Sequence, residues 1–423
     1  MGDVISTGSI LDTARGAGAA DWAEALRERS RTDFAALGLP NRRFEAWKYS
    51  DLARALNETT RETGPAAPPR SIPGTHTAIF ENGVLNEDLS TFRDAGALTL
   101  RQILADPASS FVGDIGGVNA QHNHPLLSLN TALMEEGIVL RVPRGTALEK
   151  PLHLRFDWRG SITGGHHLRV LILLEEGAEA TLVETHGGSP CFATIVSEVR
   201  LAKNAKLSHV RLEALGSAAR QSAITMGEIG ASAHYRAFYL SGGGHFSRHE
   251  ALLKLTGQDA QADIDGAYLA TGTRHCDNTT VITHAAPQTA SRQFFRGVLS
   301  GQARGAYQGR IRVAPEAQGT DARQMSRALL LSHRAEAATK PELEIFADDV
   351  KCAHGATIGE LDAAALFFLR ARGIPEAEAR ALLVEAFFND SVATIENEHL
   401  RELAASSVQD WLSSHAGEVS SVE

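Results

Sequence analysis

Cys352 and His354 stand two positions apart in DDVKCAHGATIG, residues 348–359, and a thiol paired with an imidazole is the chemistry this chain offers most directly. Thiolate and neutral imidazole together suit zinc, copper or an iron-sulfur cluster. Residues i and i+2 project from one face of a strand but point apart on a helix, so the pair chelates only from extended backbone. Two ligands leave a four-ligand site half built. A buried free cysteine beside a hydrogen-bonded histidine is the plainer account of a lone Cys-x-His, and spacing alone does not displace it.

Other clusters carry less. RHCDNTTVITH, residues 274–284, offers His275, Cys276, Asp277 and His284, but strand alternation would send some inward and others outward, which favours structural polar stacking over shared ligation. HFSRHE at 245–250 and HH at 166–167 are the neighbours that 17 histidines produce by chance. Arg292, Arg296, Arg304, Arg310 and Arg312 alternate with Phe294, Phe295 and Tyr307, a composition that suits RNA or a phosphorylated ligand, or else a strand face paired with acidic neighbours. The net charge of -10 favours the second and argues against a general nucleic-acid or anionic-membrane binder. Asp263 and Asp265 share the i, i+2 geometry that a β-helix glycosidase or lyase could use, or a solvated strand face. No lysine follows a glycine, so a phosphate-binding loop is missing, as are a G-x-S-x-G elbow and an H-E-x-x-H pair.

The elements that must hold these residues change character along the chain. With 423 residues, 43% hydrophobic and 22% charged, two or three structural units are expected. Three scattered cysteines, Cys191, Cys276 and Cys352, fit free thiols in a cytosolic protein, with no signal segment and no membrane span. Trp22, Leu26, Phe34 and Leu37 recur at helical spacing, LGLP ends that helix at 37–40, and a short helix follows from Arg43. GPAAPPRSIPG at 64–74, with four prolines, reads as a linker, and IFENGVL at 79–85 as an Asn-Gly hairpin.

From about Gly137, short alternating runs such as HLRVLILLEEG and KLSHVRLEAL predict strands. The turns GAEA, NAKL, GASA and DAQA begin at 177, 204, 230 and 259, separations of 27, 26 and 29. A period of this length with no helix inside it predicts the stacked coils of a β-helix, with an antiparallel sandwich as its rival. After His354 helices return: Asp362 starts one, Gly373 stops it, Pro375 opens the next, and a third runs over roughly 393–413 before a frayed tail. Leu366, Leu369, Leu382, Leu383, Ala386 and Phe387 are expected to form one buried seam. Residues 363–423 hold four Arg or Lys against ten Asp or Glu, which suits protein docking and not DNA.

The stretch from 301 to 374, including TDARQMSRALLLSHRAEAATKPELEIFADDVKCAHGATIGELD, resembles the SufB/SufD family of the Suf iron-sulfur cluster assembly system. RFEAWKYSDL at 43–52 and IFENGVL extend that resemblance over about 40–390. SufB-like chains typically flank the histidine with acidic residues, whereas this chain reads Cys352, Ala353, His354, Gly355; with its length and WKY segment, it is closer to the SufD branch.

The resemblance implies a mainly β protein: an N-terminal helical region and linker (1–75), a hairpin and transition (76–136), a right-handed parallel β-helix core (137–356) and a C-terminal helical domain (357–423). It implies a non-catalytic cytoplasmic scaffold subunit whose His354, and secondarily Cys352, contribute ligands to a transient iron-sulfur cluster shared with a SufB-like paralogue across the β-helix end. A SufC-like ATPase would dock on the C-terminal helices through Leu366, Phe367, Leu369, Leu382, Leu383 and Phe387, so this chain needs no ATP site. A homodimer of the isolated chain is an open alternative to the paralogue pair, and a β-helix carbohydrate-active enzyme or metal hydrolase is the alternative to the scaffold.

Overall fold

One corner of every coil is turned by a residue in the left-handed region, and these corners stack. Gly145, Gly177, Asn204, Ser232, Asp259, Gln288 and Gly319 all have positive φ, which glycine adopts freely and Asn and Asp tolerate. Their backbone N–H groups donate to the next coil: Gly177 to Lys203 O at 2.9 Å, Asn204 to Ala231 O at 2.9 Å, Ser232 to Gln258 O at 2.8 Å, Gln288 to Gln318 O at 2.8 Å and Gly319 to Asp349 O at 2.7 Å. The following residue is buried: Ala178, Ala205, Ala233 and Ala260 form a column continued by Thr289 and Thr320, whose hydroxyls lie 3.2 Å apart. In GASA the left-handed position is Ser232 and not Gly230, because the ladder fixes the corner one residue before the buried alanine.

The computed structural model describes residues 6–12, 18–60, 68–118, 123–159, 165–190 and 192–415. Cys191, part of the Pro-rich segment and the expected tail beyond 415 lie outside them. The early strands are β1 (His76–Glu81), β2 (Val84–Asn86), β3 (Leu98–Thr99), β4 (Glu136–Val142), β5 (Leu152–Trp158) and β6 (Gly165–Leu174). The middle coils comprise β7 (Glu179–Gly188), β8 (Phe192–Leu201), β9 (Lys206–Leu215), β10 (Arg220–Ile229), β11 (His234–Gly242), β12 (Phe246–Leu255) and β13 (Gln261–Ala270). The last are β14 (His275–His284), β15 (Ala290–Leu299), β16 (Arg304–Val313), β17 (Thr320–Leu330), β18 (Glu336–Ile345) and β19 (Val350–Gly359).

They form two sheets. One has ten strands in the order β19-β17-β15-β13-β11-β9-β7-β5-β1-β2, the other nine in the order β18-β16-β14-β12-β10-β8-β6-β4-β3. Pairing is parallel except at the outer pairs β1–β2 and β3–β4. The architecture is the parallel β-helix that the repeat predicts, not a sandwich. IFENGVL makes its hairpin, with Asn82 and Gly83 both at positive φ. β1 also pairs in parallel with β5, so the ten-stranded sheet reaches back to residue 76.

Each sheet carries apolar residues on its outer face as well as its inner one where a helical unit covers its outside. α1 (Thr7–Leu11), α2 (Asp21–Leu37), α3 (Leu52–Asn57), α4 (Leu100–Ala105) and α5 (Pro125–Leu133) belong to the N-terminal unit. Its Phe34, Trp47, Leu52 and Leu126 pack against Phe192, Val196, Ile224, Met226 and Phe246 of the nine-stranded sheet. The short helix expected after Arg43 is a 3-10 turn at Glu45–Trp47 followed by α3.

The C-terminal unit comprises α6 (Ala363–Arg370), α7 (Glu376–Val392) and α8 (Glu398–Ser414). Asp362 caps α6 by accepting from the N–H groups of Ala364 and Ala365. Val384, Phe388, Val392, Leu400, Val408 and Trp411 bury themselves on Val210, Leu212, Phe238, Leu240, Leu269 and Val298 of the ten-stranded sheet. The expected linker is anchored here, since Ile72 joins this cluster and Arg70 pairs with Asp410.

Asp265 lies on β13 beneath Thr394 of the α7–α8 connection, beside Asp263, Arg292 and Arg296. Burial raises its pKa to about 6 against the opposing pull of Thr394 and Arg292. Between about pH 4 and 6 the folded chain therefore holds a proton that the unfolded chain has released, so this group's contribution to stability falls as pH rises through that window. The loss is about 3 kcal/mol. Denaturant unfolding of wild type and Asp265→Asn at pH 4 and pH 7 should differ by an amount of that order, with the variant less pH-dependent; parallel pH profiles would refute the assignment.

Candidate site at the open end of the coils

The inward face of each strand follows from the register. Counting inward from the buried residues of β17, namely Ala322, Gln324 and Ser326, parallel pairing places Cys352, His354 and Ala356 of β19 directly over them. Cys352 and His354 thus share one face of an extended strand, the geometry their spacing requires. Cys352 is half-buried against Ile311, Val313, Ala322 and Ala347, whereas His354 is exposed. Burial raises the Cys352 thiol above its ordinary pKa, Asp321 adds to this, and a backbone hydrogen bond from Ala322 opposes it. Among the described residues no group of three or more His, Cys, Asp or Glu could hold a metal ion, so these two donors stand alone.

β19 and β18 each end a sheet, pairing only with β17 and β16. Each therefore presents a ten-residue edge of backbone N–H and C=O groups. The rim beside them is apolar: Phe346 is 59% exposed, with Ile345 and Ile358 also exposed. Sequence reasoning missed this rim, although Ile345-Phe346 beside a charged run was a readable signal.

The remaining expectations separate cleanly. Cys276 lies inside the coils on β14, in the other sheet from Cys352, with Asn278 Nδ2 donating to its Sγ at 3.7 Å; burial pushes its thiol far up. Its neighbours His275 and Asp277 face outward, as alternation requires. Ser50 Oγ lies 2.7 Å from His275 Nε2 and donates to Asp277, while the Arg248 guanidinium pairs with Asp277 and Glu250 and sits 4.2 Å from the Trp47 ring centroid. The WKYSD segment is thereby tied to the coils. Burial lowers His275 to about 4, keeping the imidazole neutral there.

His245 pairs with Glu58 at 2.8 Å and His167 with Thr194 at 2.8 Å, both structural roles. The arginine stretch is a cross-strand ladder: Arg304 to Glu336 at 3.1 Å, Arg310 to Glu342 at 3.0 Å and Arg312 to Glu344 at 3.9 Å, with Arg296 turned to Asp390. Asp263 pairs with His234 at 2.9 Å and Asp265 is covered by helix, so the two carboxylates offer no acid-base pair. A cleft of about 780 Å³ lies under the N-terminal unit, lined by Arg42, Tyr49, Glu58, His245, Arg304 and Arg334, and neither Cys352 nor His354 reaches it.

The expected C-terminal seam uses a different face. Ala379, Val384, Phe388 and Val392 are buried, whereas Leu366, Leu369, Leu383 and Phe387 are half-buried and Ala386 is exposed. Phe367 is 73% exposed, Phe368 53% and Leu382 41%. α7 lays Val384, Phe388 and Val392 on the sheet, whereas α6 packs on α7 and leaves Phe367 and Phe368 outward. With Leu382 they form an apolar patch on the outside of the C-terminal unit.

Residues 159–387 match the model of the family described as "SUF system FeS cluster assembly, SufBD core domain". The chain is 30% identical to an iron-sulfur cluster assembly SufBD family protein of Synechocystis over 83% of each chain. It is 29% identical to iron-sulfur cluster assembly protein SufD of Escherichia coli, covering 86% of this chain and 87% of that one. Against SufD of Bacillus subtilis it is 26% identical over 68% of this chain and 66% of that one. No described helix is long and apolar enough to cross a membrane.

Burial separates the two described thiols. Iodoacetamide applied to the native chain at pH 8 should label Cys352, more slowly than free cysteine, and leave Cys276 untouched until denaturant is added. Peptide mapping by mass spectrometry reads this directly, and native labelling of Cys276 would contradict the burial described.

Proposed function

The chain belongs to the SufBD family of iron-sulfur cluster assembly proteins, and from that premise we propose that it is the SufD-like, non-catalytic subunit of an assembly scaffold, presenting Cys352 and His354 as half of a nascent-cluster site. One observation carries the reading: both donors sit on β19, the last strand of a sheet whose outer edge pairs with no described strand. Long, exposed apolar edges are an aggregation hazard that folded proteins cover. A SufB-like paralogue, itself a stack of coils, would cover them by adding strands to β18 and β19, bringing its own ligands to the two supplied here. Without the paralogue, a second copy of this chain would compete for the same edges.

Soft iron-sulfur species suit the Cys352 thiolate, and coordination offsets the burial that keeps the thiol protonated. A neutral His354 nitrogen makes the site easier to release than four thiolates. The patch of Phe367, Phe368 and Leu382, with Leu366, Leu369, Leu383 and Phe387 at its margin, is the proposed dock for a SufC-like ATPase. ATP-driven movement of that subunit would act through α6 and α7 on the ten-stranded sheet and change the interface at β19. Iron and sulfide are the cargo of this process.

Co-expression with a SufB-like paralogue and a SufC-like ATPase should yield one complex. Cys352→Ala combined with His354→Ala should leave that complex intact but reduce its anaerobic cluster absorbance about tenfold or more. Phe367→Asp should release the ATPase alone, at a cost of about 2 kcal/mol or more in binding. Wild-type cluster loading by the Cys352→Ala, His354→Ala complex would sink the ligand assignment, and ATPase retention by Phe367→Asp would sink the dock.

A further inference from the structure

Parallel register stacks Gln293, Gln324 and His354 in one inward column on β15, β17 and β19. The polar side chains around Gln293 are joined by hydrogen bonds. His284 Nε2 lies 2.9 Å from Ser291 Oγ, Gln293 Nε2 donates to Ser291 Oγ at 3.3 Å, Thr280 Oγ1 donates to Gln293 Oε1 at 3.1 Å, and Tyr307 OH lies 3.1 Å from Thr280 Oγ1. The chain of hydrogen bonds reaches Gln324 and ends on one atom. Gln324 is only 2% exposed; its Nε2 meets the Tyr307 hydroxyl, but its Oε1 lacks a hydrogen-bond partner.

An unsatisfied buried amide oxygen costs about 1–3 kcal/mol and calls for an explanation. The backbone makes room for this one: a Cβ on Gly309 would stand 1.7 Å from Gln324 Nε2 and 2.7 Å from Tyr307 OH. Gln293 turns both ends of its amide to Ser291 and Thr280, and no hydrogen bond joins it to its column neighbour above. The next side chain in the column is His354, one strand away at about 4.8 Å.

We infer that Gln324 is the positioning residue of His354: a side-chain rotation that closes the one-strand gap lets its carbonyl oxygen accept the N–H of one imidazole nitrogen, which leaves the other unprotonated for an incoming iron. A neutral imidazole has one donor and one acceptor nitrogen, and the partner of the first decides which is left for metal. Metal-bound histidines regularly donate their second N–H to such an acceptor. The Nε2 of Gln324 faces the Tyr307 hydroxyl, which joins His354 to the polar interior. This role rests on the reading of His354 as a cluster ligand, and it explains why an amide is kept at a position where a leucine would be cheaper.

The test uses the full-length chain labelled with 15N-histidine, with the His354 signals assigned by their loss in His354→Gln. Wild type should give one protonated and one unprotonated nitrogen at separate shifts; Gln324→Leu should give the averaged shifts of a mixed tautomer, and Gln324→Glu should restore separate ones. Thermal unfolding of Gln324→Leu at or above the wild-type midpoint excludes a folding defect, and Gln324→Met serves as a second apolar variant. Identical His354 shifts in wild type and both apolar variants would overturn the inference. In the co-expressed complex, Gln324→Leu should weaken Fe(II) binding about tenfold or more. If His354→Ala weakens Fe(II) binding and Gln324→Leu does not, the positioning role alone falls. If His354→Ala leaves Fe(II) binding unchanged, the ligand reading falls.

Discussion

A stack of parallel coils must end, and where it ends the backbone ladder is unsatisfied. This protein treats its two ends differently. At the start, β1 turns back on β2 and β4 is met by β3, both antiparallel and only three and two residues long. Very short, antiparallel edges are a standard way to stop further pairing. At the other end, β18 and β19 keep their full length, Ile345, Phe346 and Ile358 on and beside them are exposed, and no described strand pairs with their outer edges. The Cys-x-His pair lies on that uncapped end. The fold's physics therefore favours an interface at this end, and Cys352 and His354, the proposed ligands, lie where it would form.

Much of this was readable from residues. The recurring small-residue turns predicted the coil, because a left-handed corner in every coil favours Gly, Asn or Asp there and a small residue beneath it, although Ser232 and Gln288 also fill that corner. The i, i+2 spacing of Cys352 and His354 predicted a strand, and Asp362, Gly373 and Pro375 marked the helices that follow. The Asn82-Gly83 hairpin was legible from two letters.

What escaped the sequence did so for identifiable reasons. The C-terminal seam was assigned to Leu382, Leu383 and Phe387, but α7 is apolar on opposite faces, and periodicity cannot say which face a sheet will take. The Pro-rich segment was read as a linker since proline forbids a helix, yet Ile72 and Arg70 fasten it to α8 and the ten-stranded sheet. The interior was the least visible part. Glu184, His186, His209, Arg211 and Glu213 occupy inward positions that alternation assigns to apolar side chains, and they are buried in mutual ion pairs and hydrogen bonds. A strand pattern reports which residues alternate, not which face is inside.

The ten-stranded sheet ties the C-terminal unit to the open end. Arg296 on β15 holds Asp390 and Ser391 of α7, and the register runs from Arg296 to Arg327 on β17 and then to Thr357 on β19. Two ladder steps thus separate a helix contact from the strand that bears His354. Continuous backbone hydrogen bonding makes such a sheet stiff along the ladder, and its packed interior resists local deformation. A pull on α7 would therefore be delivered to β19 as movement of the whole edge, not as bending between coils. The compliant element is then the junction between this edge and whatever covers it, so a site shared across that junction opens or closes as a unit when the helices move.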